Sequence, residues 1–299
     1  MPSYISHAIM GSEVYKNSQD CGKVFYVPID ENEFRGYSLG TDLACLSKKL
    51  KKDPHNEDTQ AFFLNMVKYI KENNLIEDSS VLALLYGHIA HYFFDVNVHP
   101  LIFYTDNGSK QVGVIPNHHL IEGYLDSYLA KKVLDKDIMD IKSSYFNKIK
   151  LTSLKIMKLL NNVYGKVYND STIIKAYQKL LFLFSMLEDF IKNGSISKKM
   201  LIKFSKFKEF MNINKLDYND FHNESKEIYQ NPITGEKHNE SFMELYNKSI
   251  DMTIDALIKV NNYLYKNYSL FSLEKVFTNL SYDTGVSCSM GKRMVYSRK

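Results

Sequence analysis

Residues 82–95 have the sequence Leu82-Ala-Leu-Leu-Tyr-Gly-His-Ile-Ala-His-Tyr-Phe-Phe-Asp95 and belong to the most apolar stretch of the chain, Val81 to Tyr104. This stretch is long enough to cross a bilayer, but each ionisable side chain in it would cost several kcal/mol in hydrocarbon. Those side chains are His88, His91, Asp95 and His99. We therefore predict a buried helix with a functional role and no stable insertion into a membrane.

The composition around this helix is that of a folded, helical protein. Of the 299 residues, 44% are hydrophobic and 13% are aromatic, which excludes a disordered or collagen-like chain. Apolar residues recur with a period of 3.6 over long segments that contain few of the 6 prolines and 13 glycines. We predict an all-α, multi-helix bundle with helices near 8–16, 41–51, 57–74, 79–95, 117–134, 142–165, 170–193, 197–211, 240–266 and 271–280.

The candidate functional side chains are concentrated in the first half of the chain. We expect a helical metal-site region over 1–140 and a second helical region over 141–299 that completes the bundle, both within one compact domain. Residues 216–240 are polar and contain Pro232 and Gly235, so they form the longest predicted loop. No feature of the sequence indicates an oligomeric state.

Charge and cysteine content narrow the choice of partner and compartment. The 38 basic and 34 acidic residues are spread along the chain, and a net charge of +4 argues against a nucleic-acid partner. Cys21, Cys45 and Cys288 are widely spaced and form no CxxC motif, so neither a disulfide framework nor a thiolate zinc site is supported. The first ten residues lack the pattern of a signal peptide. We therefore expect a cytoplasmic protein.

Histidine is concentrated in the first part of the chain, where two helical pairs stand out. His91 and Asp95 are four residues apart and so lie on one helix face, and His118 and Glu122 repeat the arrangement. Imidazole nitrogen and carboxylate oxygen are ligands of hydrolytic zinc. One such pair alone is more often an ordinary hydrogen-bonded pair. Two pairs favour a metal site, because a buried carboxylate or imidazolium is costly unless it is paired or bound to metal.

The same residues resemble a known family. The segment His91-Tyr-Phe-Phe-Asp95-Val-Asn-Val-His99-Pro resembles the His-x-x-x-Asp core of the bacterial zinc-dependent phospholipases C. The segment His118-His-Leu-Ile-Glu122-Gly-Tyr-Leu-Asp126 is similar to their downstream His-x-x-x-Glu element. Further matches, in the order of the family, are His7, Asp42 within Gly40-Thr-Asp42, and His55 before Ala61-Phe-Phe-Leu. The resemblance spans roughly residues 1–130.

The resemblance implies an all-helical fold, shared with the single-strand zinc nucleases, around two or three zinc ions. It implies that one zinc has the ligands Asp42, His55, His91 and Asp95. It implies that a second has the ligands His99, His118 and Glu122. A third would take His7 and a bridging oxygen of Asp95, and is completed in exported members by the chain's N-terminal amine and carbonyl. His88 is an alternative to His99, which follows Asp95 by only four residues.

The implied activity is hydrolysis of a phosphodiester by a water that the metal activates. Asp42 is the residue that would orient or deprotonate this water; its alternative role is that of a helix N-cap after Gly40. The substrate class is a phosphoester, with phospholipid as one candidate. Two other hypotheses stay open: a single-strand zinc nuclease in which some of the 22 tyrosines stack on bases, and a non-enzymatic protein whose metal only stabilises the helices.

Overall fold

The computed structural model describes residues 4–20, 24–42, 55–106, 111–112, 115–141, 153–164 and 220–298. Within these residues the secondary structure is almost entirely helical, so the predicted all-α class is confirmed. The helices are α1 (Tyr4–Asp20), α2 (Glu31–Tyr37), α3 (Thr59–Glu72), α4 (Ser79–Thr105), α5 (Asn117–Leu134), α6 (Leu154–Val163), α7 (Phe242–Tyr265) and α8 (Phe271–Glu274). Single 3₁₀ turns are formed by Ile138–Asp140 and Cys288–Met290.

Two short antiparallel ribbons complete the described secondary structure. Strand β1 (Gln111–Val112) pairs with β2 (Ile115–Pro116) just before α5. Strand β3 (Tyr229–Gln230) pairs with β4 (Lys237–His238), with Tyr229 opposite His238. The segment predicted as a loop over 216–240 therefore contains a hairpin in its described part.

Helix α4 is the centre of the fold. It begins where the Oδ1 of Asp78 accepts a hydrogen bond from the backbone N–H of Val81 (3.2 Å), as expected for an aspartate N-cap. The helix continues through Pro100 to Thr105 and does not stop at Asp95 as predicted. Pro100 has no N–H to donate to the carbonyl of Val96, but its fixed φ angle is compatible with a helix. Nearly every side chain from Ser80 to Ile102 is buried.

The other helices surround α4 and share one apolar core with it. Helix α7 packs along α4, and α1, α2 and α5 also contact it. Helix α7 starts with a capping box in which Ser241 and Glu244 bond reciprocally to each other's backbone N–H. Aromatic rings of Phe63 and Phe277 stack at 4.6 Å between centroids. Among the described helices, none combines the length and the apolar character that crossing a bilayer requires.

Several predicted helices differ from the structure. Helix α2 was not predicted, because its seven residues are too few to show a period and it depends on the cap supplied by Asp30. Helix α8 is shorter than the predicted 271–280, since the side chain of Gln60 binds the carbonyls of Glu274 and Phe277 that would continue it. Asp58 occupies the N-cap of α3.

Some predictions fall on residues that the structure does not describe. The predicted helices 41–51, 170–193 and 197–211 lie outside the described residues, except for the two residues before position 43. Of the predicted helix 142–165, the described part is helical over Leu154–Val163. The division of the chain at residue 140 stays a prediction.

Candidate metal centre

The fold brings predicted ligands from distant parts of the chain to one side of α4. His7 comes from α1, and Asp42 and His55 come from the segments after α2 and before α3. His91, Asp95 and His99 lie on successive turns of α4. His118 and Glu122 are in the first turns of α5, which contacts both α1 and α4.

Asp95 is the hub of this cluster. Its Oδ1 is 3.1 Å from Nε2 of His7 and 3.5 Å from Nε2 of His99. Its Oδ2 is 3.1 Å from Nε2 of His91. The two carboxylate oxygens therefore face different histidines, an arrangement in which one aspartate can bridge two metal ions.

Asp42 forms a second group of possible ligands beside the hub. Its Oδ1 lies 3.0 Å from Nε2 of His55 and 3.9 Å from Nε2 of His91. The turn that delivers Asp42 passes directly over the imidazole of His91: Gly40 has φ +51, and a Cβ there would lie 2.3 Å from Cγ of His91. A residue without a side chain is required at position 40 on both counts. The alternative role of Asp42 as an N-cap concerns residues 43–50, outside the described residues.

The residues predicted to hold the second zinc lie at the junction of α4 and α5. Nε2 of His99 lies 3.6 Å from Oε1 of Glu122, whereas Nδ1 of His118 lies 3.7 Å from Oδ2 of Asp106. Phe103 contacts the rings of both histidines. Asp106, the C-cap of α4, was missed by the sequence reasoning. Its position seven residues after His99, two turns further along the same helix face, was the available signal.

His88, the alternative to His99, is placed differently. Its Nδ1 is 2.9 Å from the carbonyl oxygen of Leu84 in its own helix, and its ring stacks on Phe62. Burial lowers the pKa of His88 to about 3. The structure therefore brings His99, and not His88, to the carboxylates of Asp95 and Glu122.

These residues fit a metal ion by their chemistry and their spacing. Two groups have ligand atoms within 4.8 Å of one another, namely His7, His91 and Asp95, and Asp42, His55 and His91. Two ligands at the tetrahedral zinc distance of about 2.0–2.1 Å lie about 3.3 Å apart, close to the separations above. Both ring nitrogens of His7 and of His91 are buried, and neither ring makes a well-directed hydrogen bond to the part of the chain that the structure describes. Buried polar atoms in this state indicate a ligand that is not part of the chain.

The pKa shifts show how strongly the cluster attracts positive charge. Burial alone would raise the pKa of Asp95, but His99, His91 and His7 outweigh it and hold the pKa well below its usual value. Burial likewise favours neutral Asp42, yet the hydrogen bond from His55 and the charge of His91 lower its pKa. Both carboxylates are thus ionised at neutral pH.

The pKa values of His7 and His99, the two histidines nearest to Oδ1 of Asp95, are shifted in opposite directions. Burial, reinforced by His91, lowers the pKa of His7. Burial also acts to lower the pKa of His99, but Asp95 and Glu122 raise it to about 10. A site that holds a proton this strongly in a buried position is one that a metal cation can occupy instead.

A family model described as zinc dependent phospholipase C matches residues 6–169 of the chain. The chain belongs to this family. No curated protein and no solved structure matches it. The eight predicted ligands all fall inside the matched residues, so the zinc-dependent phospholipase C family and the histidine and carboxylate cluster refer to the same part of the chain. Family and cluster together support zinc as the metal and a hydrolase as the general class.

Two features near the cluster were not assigned a role by the sequence reasoning. Asp126 accepts a hydrogen bond at Oδ1 from the backbone N–H of Ser6 (2.8 Å), next to His7, so α5 holds the first turn of α1. Tyr282, outside the residues matched to the zinc-dependent phospholipase C family, packs its ring against His55 and His91. Nothing in the sequence indicates this contact, because the partners are about 190–230 residues apart in the chain.

Proposed function

We propose that this chain is a phospholipase C-like hydrolase that cleaves a phosphodiester of a phospholipid with the help of two or three zinc ions. In the reaction, a water oxygen forms a bond to phosphorus, and the bond from phosphorus to the glycerol oxygen breaks. The glycerol oxygen takes up a proton, and the phosphorylated headgroup is released. The observation that carries the proposal is the position of Asp95 among three histidines, beside the group formed by Asp42, His55 and His91.

Zinc in such a site lowers the pKa of a water ligand from ~15.7 towards ~7 and neutralises the oxygens of the phosphate. The chain's contribution is to hold three carboxylates, those of Asp42, Asp95 and Glu122, at fixed positions among the histidines. All three carboxylates are buried, with at most 4% of each residue exposed. Three negative charges against two or three divalent ions leave a positive site, which favours an anionic phosphate diester.

Asp42 is the residue that we assign to the attacking water. Its Oδ1 faces His55, while its buried Oδ2 makes no hydrogen bond to any residue that the structure describes. A lowered pKa keeps Asp42 ionised at neutral pH, so Oδ2 is able to accept a hydrogen bond from a water. This position allows Asp42 to orient the water and to receive its proton as the new bond forms.

The proposal is tested with protein purified without chelator and then loaded with zinc. We expect about two to three zinc ions per chain and hydrolysis of phosphatidylcholine vesicles to diacylglycerol. Asp42→Asn keeps the size of the side chain but cannot take a proton, so the rate per bound zinc should fall by about 10²–10⁴-fold. Asp255→Asn is the control, because Asp255 lies on the exposed face of α7, paired with Lys259.

Three results would contradict the proposal. Less than about half a zinc ion per chain after reconstitution would remove the metal centre. An Asp42→Asn protein as active per zinc as the unmodified one would remove the assigned role of Asp42. Full zinc loading with no hydrolysis of vesicles or soluble phosphodiesters would favour the structural-metal hypothesis, and hydrolysis of single-stranded DNA alone would favour the nuclease.

A further inference from the structure

A short segment from the C-terminal part of the chain encloses the candidate metal centre. We call residues 281–285 the strap; they follow α8 and lie outside the residues matched to the family. The backbone N–H of Tyr282 donates a hydrogen bond to the carbonyl of His55 (2.8 Å). The carbonyl oxygen of the same residue is 2.9 Å from Nδ1 of His99. One residue of the strap therefore contacts two predicted ligands that lie on different sides of the cluster.

The side chain of Tyr282 closes the space between these two bonds. It is fully buried, and its ring centroid is 5.0 Å from that of His55 and 5.6 Å from that of His91. The ring of His55 meets it edge to face, at 83°. Packing of this kind restricts the rotation of both imidazoles.

The strap is itself held firmly by its neighbours. Asn56, the residue next to His55, donates a hydrogen bond to the carboxylate of Asp283 (2.6 Å). The hydroxyl of Ser281 donates a hydrogen bond to the side-chain oxygen of Asn56 (2.5 Å). The carbonyl of Thr284 accepts a bond from Asn231 (2.8 Å). Asn56 thus joins the strap to the segment that carries His55.

Gly285 brings the strap against α4 next to His99. Its φ is +66, and a Cβ at this position would lie 2.4 Å from the carbonyl oxygen of Val96 and 3.1 Å from Pro100. Any residue with a side chain would have to move the strap away from this part of α4. The hydrogen bond that Nδ1 of His99 donates to the carbonyl of Tyr282 depends on this close approach.

The bond to Tyr282 determines which nitrogen of His99 is available. A carbonyl oxygen only accepts hydrogen bonds, so Nδ1 of His99 must carry a proton. Nε2 then points towards two carboxylate oxygens, Oδ1 of Asp95 at 3.5 Å and Oε1 of Glu122 at 3.6 Å. A bare nitrogen lone pair would be repelled by both oxygens, whereas a cation between them would be attracted by all three atoms.

We infer that the strap is a positioning element of the metal centre: through the carbonyl of Tyr282 it selects the tautomer of His99 in which Nε2 coordinates zinc, and through the ring of Tyr282 it orients His55 and His91. The inference rests on the metal site of the proposed function. Outer contacts of this kind typically change metal affinity by about 10–100-fold when they are lost.

The first test observes the tautomer directly in the unmodified protein. The zinc-loaded chain is labelled with ¹⁵N, and its histidine ring nitrogens are observed by NMR, with His99→Gln used to assign the signals of His99. We expect a protonated Nδ1 and a metal-bound Nε2. Zinc on Nδ1, or an Nδ1 without a proton, would overturn the inference.

The second test moves the strap. Gly285→Ala should weaken zinc binding by about 10–100-fold in competition with a coloured chelator, under conditions where circular dichroism shows a folded protein. The control is Gly291→Ala: Gly291 also has a positive φ, +74, but no atom of the described residues lies within 4 Å of the position of its Cβ. Its zinc affinity should equal that of the unmodified chain.

The outcomes separate this inference from the proposed function. Equal zinc affinities for Gly285→Ala and the unmodified protein would overturn the role of the strap even if the enzyme is active. If Gly285→Ala does not fold, the NMR test on the unmodified chain decides. A chain that binds zinc with the expected tautomer but hydrolyses no phosphodiester would contradict the proposed function and leave the strap's role supported.

Discussion

The described parts of residues 4–141 and residues 220–298 differ in the clusters of ionisable side chains that they bury. The first contains a closely spaced buried cluster, in which His7, His91, Asp95 and Glu122 are each at most 2% exposed. In the second, ion pairs such as Lys226 with Glu244 lie on the surface, with about half of each side chain exposed. Buried charges are stable only when they are compensated, so the buried cluster of the first region favours a bound cation.

The second region contains none of the predicted ligands and contributes apolar packing and backbone contacts. Helix α7 packs along α4, and the strap supplies the carbonyl that faces His99. The predicted metal ligands and the elements that pack against them thus lie in parts of the chain that are distant in sequence. Substitutions in the two regions should therefore affect different measurable properties.

The largest expected effect comes from the hub of the first region. Asp95→Ala should remove more zinc than Glu122→Ala, because the two carboxylate oxygens of Asp95 face three histidines and can serve two metal ions, whereas Glu122 is expected to serve one. Metal analysis after reconstitution measures this difference, with Asp255→Ala on α7 as the control that should keep full zinc. Equal losses in the two variants would show that Asp95 does not bridge metal ions.

A smaller, pH-dependent effect is expected at Asp126 in the zinc-free protein. Burial raises the pKa of Asp126 to about 7, despite the hydrogen bond from Ser6. The unfolded chain releases this proton near pH 4 and the folded chain near pH 7, so the group lowers the free energy of unfolding as the pH rises between these values. Asp126→Asn keeps an acceptor for Ser6 and does not ionise.

The free energies of unfolding of the two proteins should therefore diverge with pH. Urea unfolding should give similar values near pH 4, and the Asp126→Asn protein should become the more stable one towards pH 7.5, by up to about 4 kcal/mol. A constant difference across this range would mean that Asp126 is ionised in the folded protein as in the unfolded one.

The smallest effect is expected where the second region only supports the first. Tyr86 of α4 donates a hydrogen bond to Asn261 of α7, which in turn donates to the carbonyl of Val24. Tyr86→Phe leaves the buried oxygen of Asn261 without a donor and should lower the free energy of unfolding by about 1–3 kcal/mol. The zinc content of the folded protein should not change, and a loss of zinc would mean that the two regions are not separable in this way.

The buried helix was predictable from the sequence because its evidence is local. An apolar run with His91 and Asp95 four residues apart predicts both a helix and a shared face, and α4 has both. The predicted end of α4 at residue 95 was wrong, because the helix continues through Pro100, whose fixed φ angle is compatible with a helix. The ligand role of His118 was also predicted from local spacing and stays a prediction; the structure places His118 near Asp106.

By itself, the sequence determined the helical class, the family and the identity of the candidate ligands, because composition, periodicity and motif spacing act over a few turns of chain. Only the tertiary structure decided that Asp95 lies between three histidines and that Tyr282 faces His99. These contacts depend on how α1, α4, α5 and the strap pack, and packing brings together residues that no local pattern connects. The close approach at Gly285 is the physical reason that the strap reaches the metal centre: without a Cβ, the backbone there can lie directly on α4.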